Sequence, residues 1–348
     1  NFRNKYYLTV TGRRDGSSNF AENRKWAFFP SAALKWTVSN ENFMKSVNWI
    51  NEFSVRASAG RTGNDGISSY NSLSALGSTT NGYLFDGSQP VAFYPSRLAS
   101  ENLTWEKTDM YNLATDIALF HNRVNITLEG YLSYTSDLLL NVQVPRHTGY
   151  TTRLANVGKT SNKGLEFSIE TRNISKAHFS WTSTFSIAHN KQMVNDIATV
   201  DYVSVYSGNS NNSYMMYGYK AGYPLNALWG FQYGGTWKSQ QEVDRNKITD
   251  AYVSGAPSLY TPGAPRYYDI DHNGILNEND LIYLGNADPY VYGGLQNSFT
   301  VGNFDFSVFV NYSIGGKIYN ISEQWMAGGN FTNQYAFMLK AWHPVRNP

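Results

Sequence analysis

Apolar and polar residues alternate with a period of two along much of the chain. In "RVNITLEGYLSY", residues 123 to 134, Val124 and Ile126 fall on one face while Asn125 and Thr127 fall on the other. Because successive side chains of a strand point to opposite faces, this alternation predicts a strand with one apolar and one polar side. The pattern recurs in "GLEFSIETR" (164 to 172), "HFSWTSTFSIAH" (178 to 189) and "FDFSVFVNYS" (304 to 313). Further strands are predicted at about residues 5 to 14, 27 to 39, 49 to 62, 107 to 120 and 289 to 301. No helix of normal length is predicted.

Short and long connections alternate between the predicted strands. Short turns are predicted at residues 120 to 123, 173 to 176 and 301 to 303, with a longer one at about 40 to 49. Long polar segments lie at about 14 to 27, 62 to 107, 135 to 162 and 190 to 288. A meander with tight turns at one end and long loops at the other is typical of an outer-membrane barrel. The predicted fold is therefore all-β: a transmembrane antiparallel β-barrel with long extracellular loops, of which residues 190 to 288 form the longest.

Alternation by itself is equally compatible with a large soluble sandwich or propeller whose apolar face is a buried core. Two features favour the barrel. Aromatic residues gather at strand ends, as in "KYY", "FF", "WI" and "YVY", and membrane–water interfaces favour Tyr and Trp. The polar face carries Ser, Thr, Asn, Glu and Arg, as expected of a water-filled lumen.

Composition excludes several classes of protein. Of 348 residues, 16% are aromatic and 16% are charged, and the charged share lies below the roughly 25% of a typical soluble domain. The net charge of +2 comes without a basic or acidic run, so no nucleic-acid partner is predicted. The absence of cysteine excludes disulfides and thiolate metal sites. No apolar run approaches the roughly 18 residues of a membrane helix.

Eight stretches, taken in order, identify a family. They are "YLTVTGRRDGSSNF" (7 to 20), "FPSAALKWTVSNENFM" (29 to 44), "VRASAGRTGN" (55 to 64), "NLTWEKTDMYNLATDIALFHNR" (102 to 123), "TSDLLLNVQVP" (135 to 145), "NVGKTSNKGLEFSI" (156 to 169), "DIDHNG" with "YLGNADPYVYGGLQNSF" (283 to 299), and "FDFSVFVNYSIGGKIYN" (304 to 320). With them the chain resembles the C-terminal part of SusC-like (SusC/RagA family) TonB-dependent outer-membrane transporters of Bacteroidetes.

The resemblance implies an outer-membrane barrel of about 22 strands with a plug in its lumen. It also implies a SusD-like surface lipoprotein as a lid, and import of oligosaccharides or peptides with energy delivered through TonB. The plug, the TonB-contact segment, and the early and final strands are absent from the sequence. Because an open sheet edge cannot lie in hydrocarbon, residues 1 to 348 are expected to be the C-terminal part of the barrel domain of a longer polypeptide. No enzymatic activity is expected. The alternative is a soluble β-rich glycan-binding module or a non-catalytic part of a carbohydrate-active enzyme.

One segment has the spacing of a calcium-binding loop. In "YDIDHNGILNEND", residues 268 to 280, Gly274 stands at the turn position. The oxygen ligands at EF-hand spacing would be Asp269, Asp271, Asn273, Ile275 through its carbonyl, Asn277 and Asp280. Such a site would hold a structural Ca²⁺ that orders the extracellular loop. An Asx-rich turn, in which the carboxylates accept local backbone N–H groups, explains the same residues equally well.

Three further patterns were considered as sites. The stretch from 222 to 237 gathers Trp229, Phe231, Tyr233 and Trp237, whose rings could stack on sugars, although an aromatic belt or packing within the loop is the favoured interpretation. Arg13, Arg14 and Asp15 are expected to form a local charge network. The six histidines, at positions 121, 147, 178, 189, 272 and 343, are scattered and predict neither a metal site nor a catalytic triad.

Overall fold

The computed structural model describes residues 1–80, 84, 87–197, 203–204, 218–246, 248–250, 261–320, 322–323, 326 and 333–341. The strands are β1 (Tyr6–Gly16), β2 (Trp26–Thr37), β3 (Ile50–Asn64), β4 (Ala75–Thr79), β5 (Ala92–Arg97), β6 (Glu106–Leu119), β7 (Val124–Ser136), β8 (Leu139–Gln143), β9 (Thr152–Asn156), β10 (Lys159–Lys176), β11 (Phe179–Asp196), β12 (Val203–Ser204), β13 (Gly218–Tyr219), β14 (Ala227–Phe231), β15 (Tyr233–Thr236), β16 (Thr249–Asp250), β17 (Pro265–Tyr267), β18 (Ile275–Leu276), β19 (Leu281–Asn286), β20 (Val291–Val301) and β21 (Phe304–Ile314). Helical segments are α1 (Gln240–Asn246) and 3₁₀ turns at Glu22–Arg24, Val38–Asn40, Asn42–Met44, Arg146–Thr148, Glu278–Asp280 and Ala336–Lys340. No helix in the described part of the chain is long and apolar enough to span a membrane.

The chain divides into two compact units. The first comprises Asn1–Tyr202, Lys220–Leu225 and Pro289–Gly315, and the second comprises Val203–Tyr219, Asn226–Asp288 and Gly316–Pro348. The first unit is built on one antiparallel sheet of nine strands in the order β1-β2-β3-β6-β7-β10-β11-β20-β21. All nine strands correspond to the predicted ones, with ends within two residues except in β10 and β11, which extend further into the loops.

The second unit consists mostly of the long segment predicted at 190 to 288, parts of which lie outside the described residues. Its described portion forms short two-stranded pairs, β12 with β13, β14 with β19, β15 with β17 and β16 with β18. The 222 to 237 stretch therefore builds β14 and β15 and does not join the nine-stranded sheet.

One predicted turn is misplaced. Residues 173 to 176 continue strand β10, and the turn falls at residues 177–178. A register shift between Arg172 and Ile174 allows the ladder to resume with Ile174 opposite Trp181. The amide of Asn173 donates to Ser183 Oγ across the two strands at 2.7 Å. The polar residues at 173 to 176, which suggested a turn, instead follow a β-bulge, and strand β10 continues beyond it.

Short connections collect at one end of the sheet and long ones at the other, as predicted. The short-turn end holds residues 38–49, 120–123, 177–178 and 302–303. In the turn at 120–123, the backbone is left-handed at Phe120, His121 and Asn122, with φ of 54°, 61° and 60°. Asn51 Oδ1 accepts from the backbone N–H groups of His121 and Asn122, at 2.6 and 3.2 Å, which offsets part of the left-handed strain. By the rule of short periplasmic turns, this end faces the periplasm.

The apolar face of the sheet is exposed. Cα partners place Leu8, Leu34, Ala57, Leu113, Gly130 and Leu165 in one row across six strands. Leu8, Leu113 and Leu165 are 66%, 61% and 61% exposed. Soluble monomers rarely leave such a continuous apolar surface uncovered. The soluble sandwich, which requires this face to be a core, is therefore wrong, and lipid is the solvent that this face fits.

Aromatic rings mark both edges of the apolar face. At the short-turn end, stacked pairs form between Tyr6 and Trp36 and between Trp181 and Phe299, with ring centroids 6.4 and 5.7 Å apart. At the long-loop end, Trp26 begins β2 with 62% of its surface exposed. Rings at both ends of the strands form the paired belts of a membrane barrel.

The buried core of the first unit lies among the long loops. Phe20, Phe29, Leu103 and Trp105 form one cluster, and Phe20 and Phe29 pack on the Trp105 ring with centroids 5.5 Å away in both cases. Trp105 Nε1 donates to the carbonyl of Lys25 at 3.0 Å, so its buried polar atom is satisfied. Leu139 and Leu154 also pack against the cluster, so the connections at 17–25, 65–105 and 137–158 are held together.

Candidate functional site

The polar face of the nine-stranded sheet carries a row of residues that includes one arginine and two glutamates. Cα pairing places Arg56, Ala114, Glu129, Glu166, Ala188 and Tyr292 side by side on six consecutive strands. Because the opposite face is lipid-facing, this row faces the interior that a transmembrane barrel fills with water. Solutes that cross the membrane through such a barrel meet this face.

Arg56 organises the cationic side of the row. Its guanidinium binds the carboxylate of Asp116 in a bidentate manner, Nε to Oδ2 at 2.8 Å and Nη2 to Oδ1 at 3.3 Å. Thr127 Oγ1 donates to the same carboxylate at 3.2 Å and Ser54 Oγ at 3.4 Å. Asp116 is therefore fully engaged, and its role is to hold Arg56 in place.

The two glutamates of the row, Glu129 and Glu166, have weaker ion pairing than Asp116 has. Glu129 Oε2 lies 3.8 Å from Arg56 Nη2, which is a long ion-pair distance. Glu166 is directly opposite Glu129 in the ladder, and among the described residues no cation forms an ion pair with it. Like charges on facing positions of neighbouring strands are destabilising, so the fold keeps this pair at a cost.

A groove of about 510 Å³ lies over this acidic pair. Its lining includes Glu129, Glu166, Tyr292, Phe309 and Asn311. Phe309 is 62% exposed although it occupies a polar-face position, opposite Gln296. Carboxylates beside exposed aromatic faces can accept hydrogen bonds from hydroxyl or amide groups while the rings stack on the flat faces of a solute. The groove is suited to a neutral or cationic oligomer.

Sequence reasoning did not select these groove residues, although one signal was present. In "FDFSVFVNYS", Phe309 breaks the alternation by standing between the polar positions Ser307 and Asn311. An aromatic residue on the wet face of a strand has no lipid or core to enter. Such a residue is a candidate contact for a solute.

The loop from Asp269 to Asp280, in the second unit, folds as the Asx-rich alternative describes. Asp269 accepts from the backbone N–H of Gly274 at 2.8 Å, and Asn273 Oδ1 accepts from that of Ile275 at 2.7 Å. Asp280 is fully buried and accepts from the backbone N–H of Ile270 and of Asn277, at 2.7 and 2.8 Å. Local backbone bonds therefore hold the loop in shape.

The same loop gathers three of the predicted metal ligands. One carboxylate oxygen from each of Asp269, Asp271 and Asp280 lies within 4.8 Å of the other two. Desolvation opposes the charge on Asp269, but the N–H of Gly274 and further local hydrogen bonds outweigh it, so its pKa is lowered. Three oxygen donors of this kind fit a hard cation such as Ca²⁺. Of the other predicted ligands, Asn277 uses its Oδ1 to accept from Asn279 N at 2.8 Å. Asn273 and Ile275 are the remaining two residues of the predicted ligand set.

Contacts in the structure show how the aromatic residues of 222 to 237 and the charged residues Arg13, Arg14 and Asp15 are arranged. Trp229 and Trp237 are buried, and Trp229 Nε1 donates to the Gly218 carbonyl at 3.0 Å, which confirms packing within the loop for these two rings, whereas Tyr233 is 60% exposed. Arg13 pairs with Asp15 at 2.9 Å, which confirms a local network for these two residues. Arg14 falls on the opposite face and its guanidinium covers the ring of Trp26, so its expected place in that network is wrong. His343 lies outside the described residues.

The exposed apolar face, the aromatic belts and the charged polar face together define a segment of a membrane-spanning β-barrel. The family model "TonB dependent receptor-like, beta-barrel" matches residues 1–321, and the chain belongs to this family of bacterial outer-membrane proteins.

Relatives agree with this assignment. TonB-dependent receptor P26 of Formosa agariphila is 34% identical over 355 residues, covering 100% of this chain and 34% of the relative. TonB-dependent receptor SusC of Bacteroides thetaiotaomicron is 28% identical over 330 residues, covering 91% of this chain and 30% of the relative. The chain therefore spans about a third of the length of these relatives. Their receptor names agree with the prediction of a non-enzymatic protein.

A solved structure supports the fold. The RagAB peptide transporter aligns with a TM-score of 0.76 at 21% identity, covering 97% of this chain and 35% of that chain. At this identity the likeness concerns the fold alone.

Proposed function

We propose that the chain is part of an outer-membrane importer of nutrient oligomers, either oligosaccharides or peptides, that works with a SusD-like surface lipoprotein and is energised through TonB. The observation that carries the proposal is the groove over Glu129 and Glu166, on the face opposite the lipid-facing one. A groove at this place lies on the route of a solute, and its carboxylates and exposed rings suit a neutral or cationic oligomer.

The relatives support this direction. The relative SusC is named as a TonB-dependent receptor, and the RagAB structure is described as a peptide transporter. TonB would act through the part of the polypeptide that precedes this segment, which the relatives' greater length allows.

The test uses the full-length protein that contains this chain. It is expressed in the outer membrane of its native bacterium together with the SusD-like lipoprotein. Uptake of fluorescent neutral oligosaccharides and of short basic, neutral and acidic peptides is measured in cells with and without TonB. We expect TonB-dependent uptake of one neutral or basic class. Uptake that is unchanged without the protein or without TonB would contradict the proposal. Co-purification through a tag on the lipoprotein tests the partnership separately.

We also propose that Ca²⁺ binds the carboxylates of Asp269, Asp271 and Asp280 and orders the loop, with Asn273, Ile275 and Asn277 as further oxygen donors. The convergence of three carboxylates within 4.8 Å supports this, because like charges at that distance repel unless a cation lies between them. Chelation of Ca²⁺ by EDTA is the direct test, and unchanged order of the loop after chelation would contradict the proposal.

A further inference from the structure

Most charged residues on the lipid-facing side of the sheet lie near the extracellular ends of the strands, and Lys176, opposite Phe179 in the ladder, lies at the periplasmic end. Two of those at the extracellular ends are neutralised: Arg61 binds Asp109 at 2.6 Å and Lys107 binds Asp137 at 3.1 Å. In contrast, Lys163 and Lys191 face each other directly across β10 and β11, both are exposed, and neither forms an ion pair with any described residue. Two like charges at facing positions repel, so an anion between them would stabilise the pair.

The height of this lysine pair is that of lipid headgroups. Lys163 stands 13 residues from the periplasmic end of β10 at Lys176, and Lys191 stands 12 residues from the periplasmic end of β11 at Phe179. A tilted strand crosses the hydrocarbon in about 9 to 11 residues. The two ammonium groups therefore lie just above the apolar layer, on the extracellular side.

An apolar groove lies beside and beneath Lys163, between the ladder row of the lysines and the next row towards the periplasm. It measures about 640 Å³, and lipid-facing side chains line it. These are Tyr111, Leu113, Leu132, Leu165 and His189, with Lys163 at the rim. Gly130 sits between Leu113 and Leu165 in the ladder, so its missing side chain leaves the floor of the groove open.

We infer that this groove and the Lys163–Lys191 pair form a binding site for one phosphorylated lipid of the outer leaflet. The acyl chain fills the groove over Gly130 and the phosphate lies between the two ammonium groups. Charge complementarity above and apolar surface below are the two requirements of such a ligand, and this place offers both. The site is on the outside of the sheet, so it does not depend on which solute the interior binds.

The lysine pair is tested with full-length protein purified in detergent, using native mass spectrometry to count bound lipids. Monophosphoryl lipid A is titrated against wild type, K163Q/K191Q and K45Q. Lys45 is an exposed cation in the periplasmic turn between β2 and β3, so K45Q is the matched control. We expect K163Q/K191Q to bind this lipid about tenfold or more weakly, because both cationic contacts to the phosphate are removed, and K45Q to match wild type. Equal affinity of wild type and K163Q/K191Q would overturn the inference.

The groove and the ligand class are tested separately. Gly130→Leu should fill the groove and weaken lipid A binding several-fold, whereas Ala32→Leu, an added side chain on the same face of β2, should not. The hypothetical Cβ at position 130 lies 3.2 Å from the end of the flexible Leu165 side chain, so Gly130→Ala serves if the leucine variant does not fold. Fully dephosphorylated lipid A should bind wild type as weakly as it binds K163Q/K191Q. If inorganic phosphate at the same concentration displaces lipid A, the site is one for free phosphate and the lipid assignment fails.

Discussion

Glu129 and Glu166 are direct partners in the ladder of β7 and β10, so two carboxylates project from neighbouring strands onto the polar face. Arg56 reaches only the first of them. The repulsion between the two carboxylates lowers the stability of the sheet. Because Arg56 does not reach Glu166, the Glu166 carboxylate is available to a solute. Residues that cost stability in this way mark a functional surface more clearly than residues that are fully paired.

Replacing Glu166 by Gln separates stability from binding. We expect E166Q to leave the free energy of unfolding unchanged or raise it by a few tenths of a kcal/mol, because a like-charge contact is removed. The same variant should weaken binding of the transported oligomer about tenfold, since a charged hydrogen bond contributes about 1.5–3 kcal/mol. Urea unfolding and calorimetric titration of the full-length protein measure the two effects. E170Q, four residues along the same strand face, is the control, and equal losses of affinity in both variants would count against a role for the groove.

The assignment of the two faces is tested by neighbouring residues. Leu113 and Asn112 are adjacent in β6 and point to opposite sides. Leu113→Arg should destabilise the barrel by about 1–2 kcal/mol because it places a charge in the outer half of the hydrocarbon, below the level of Lys163. Asn112→Arg, on the wet face, should cost much less. The fraction of folded protein in lipid vesicles, read from heat-dependent gel mobility at increasing urea, gives both values. Similar losses for the two variants would mean that the faces are assigned wrongly.

Glu41 is expected to anchor the periplasmic turn in a pH-dependent manner. Its carboxylate accepts from Lys5 Nζ at 2.7 Å, Tyr6 Oη at 2.6 Å and Trp36 Nε1 at 3.2 Å. These hydrogen bonds, that from Lys5 foremost, lower the pKa of Glu41 to about 2 from a usual 4.5. A lowered folded-state pKa means that the stabilisation is fully present above pH 4.5 and is lost as the pH falls towards 2.

The measurement compares melting temperatures of wild type and E41Q from pH 7 down to pH 2. We expect a difference that is constant down to about pH 4.5 and shrinks below it. E52Q removes a more exposed carboxylate that pairs with Lys35 at 3.1 Å, and it controls for general effects of acid. A wild-type advantage over E41Q that persists unchanged at pH 2 would contradict the anchoring role.

The calcium proposal is tested by lanthanide luminescence and by chelation. Tb³⁺ added to calcium-free protein should be excited through the ring of Tyr268, next to Asp269, and Ca²⁺ should quench the signal by competition. D271N removes one carboxylate at the exposed side of the cluster and should weaken the luminescence at least tenfold, whereas D288N, outside the cluster, should not. Bound Ca²⁺ should also slow proteolysis of the loop, because a ligand that binds the folded form stabilises it. If EDTA leaves the proteolysis rate unchanged, the loop is held by its Asx hydrogen bonds alone.

The sequence by itself determined the nine strands of the main sheet, their faces and their order along the chain. Side-chain alternation depends only on the pleat, so the apolar set of β7, with Val124 and Ile126, could be read without any partner strand. The length of each connection can also be read from the sequence, and the alternation of short and long connections assigned them to the two ends of the sheet. The errors arose where local and tertiary signals compete: Asn173 favours a turn, but its hydrogen bond to Ser183 across the ladder keeps it in the strand.

Only the tertiary structure decided which distant residues meet. Arg56 binds Asp116 from 60 positions away, and the groove joins Glu166 to Tyr292 and Phe309, because the ladder register brings them into one region. The lysine pair and the groove over Gly130 arise in the same way, from residues on adjacent strands. Alternation specifies the face of a residue but carries no information about its neighbours across the sheet, since register is set by the pairing of whole strands.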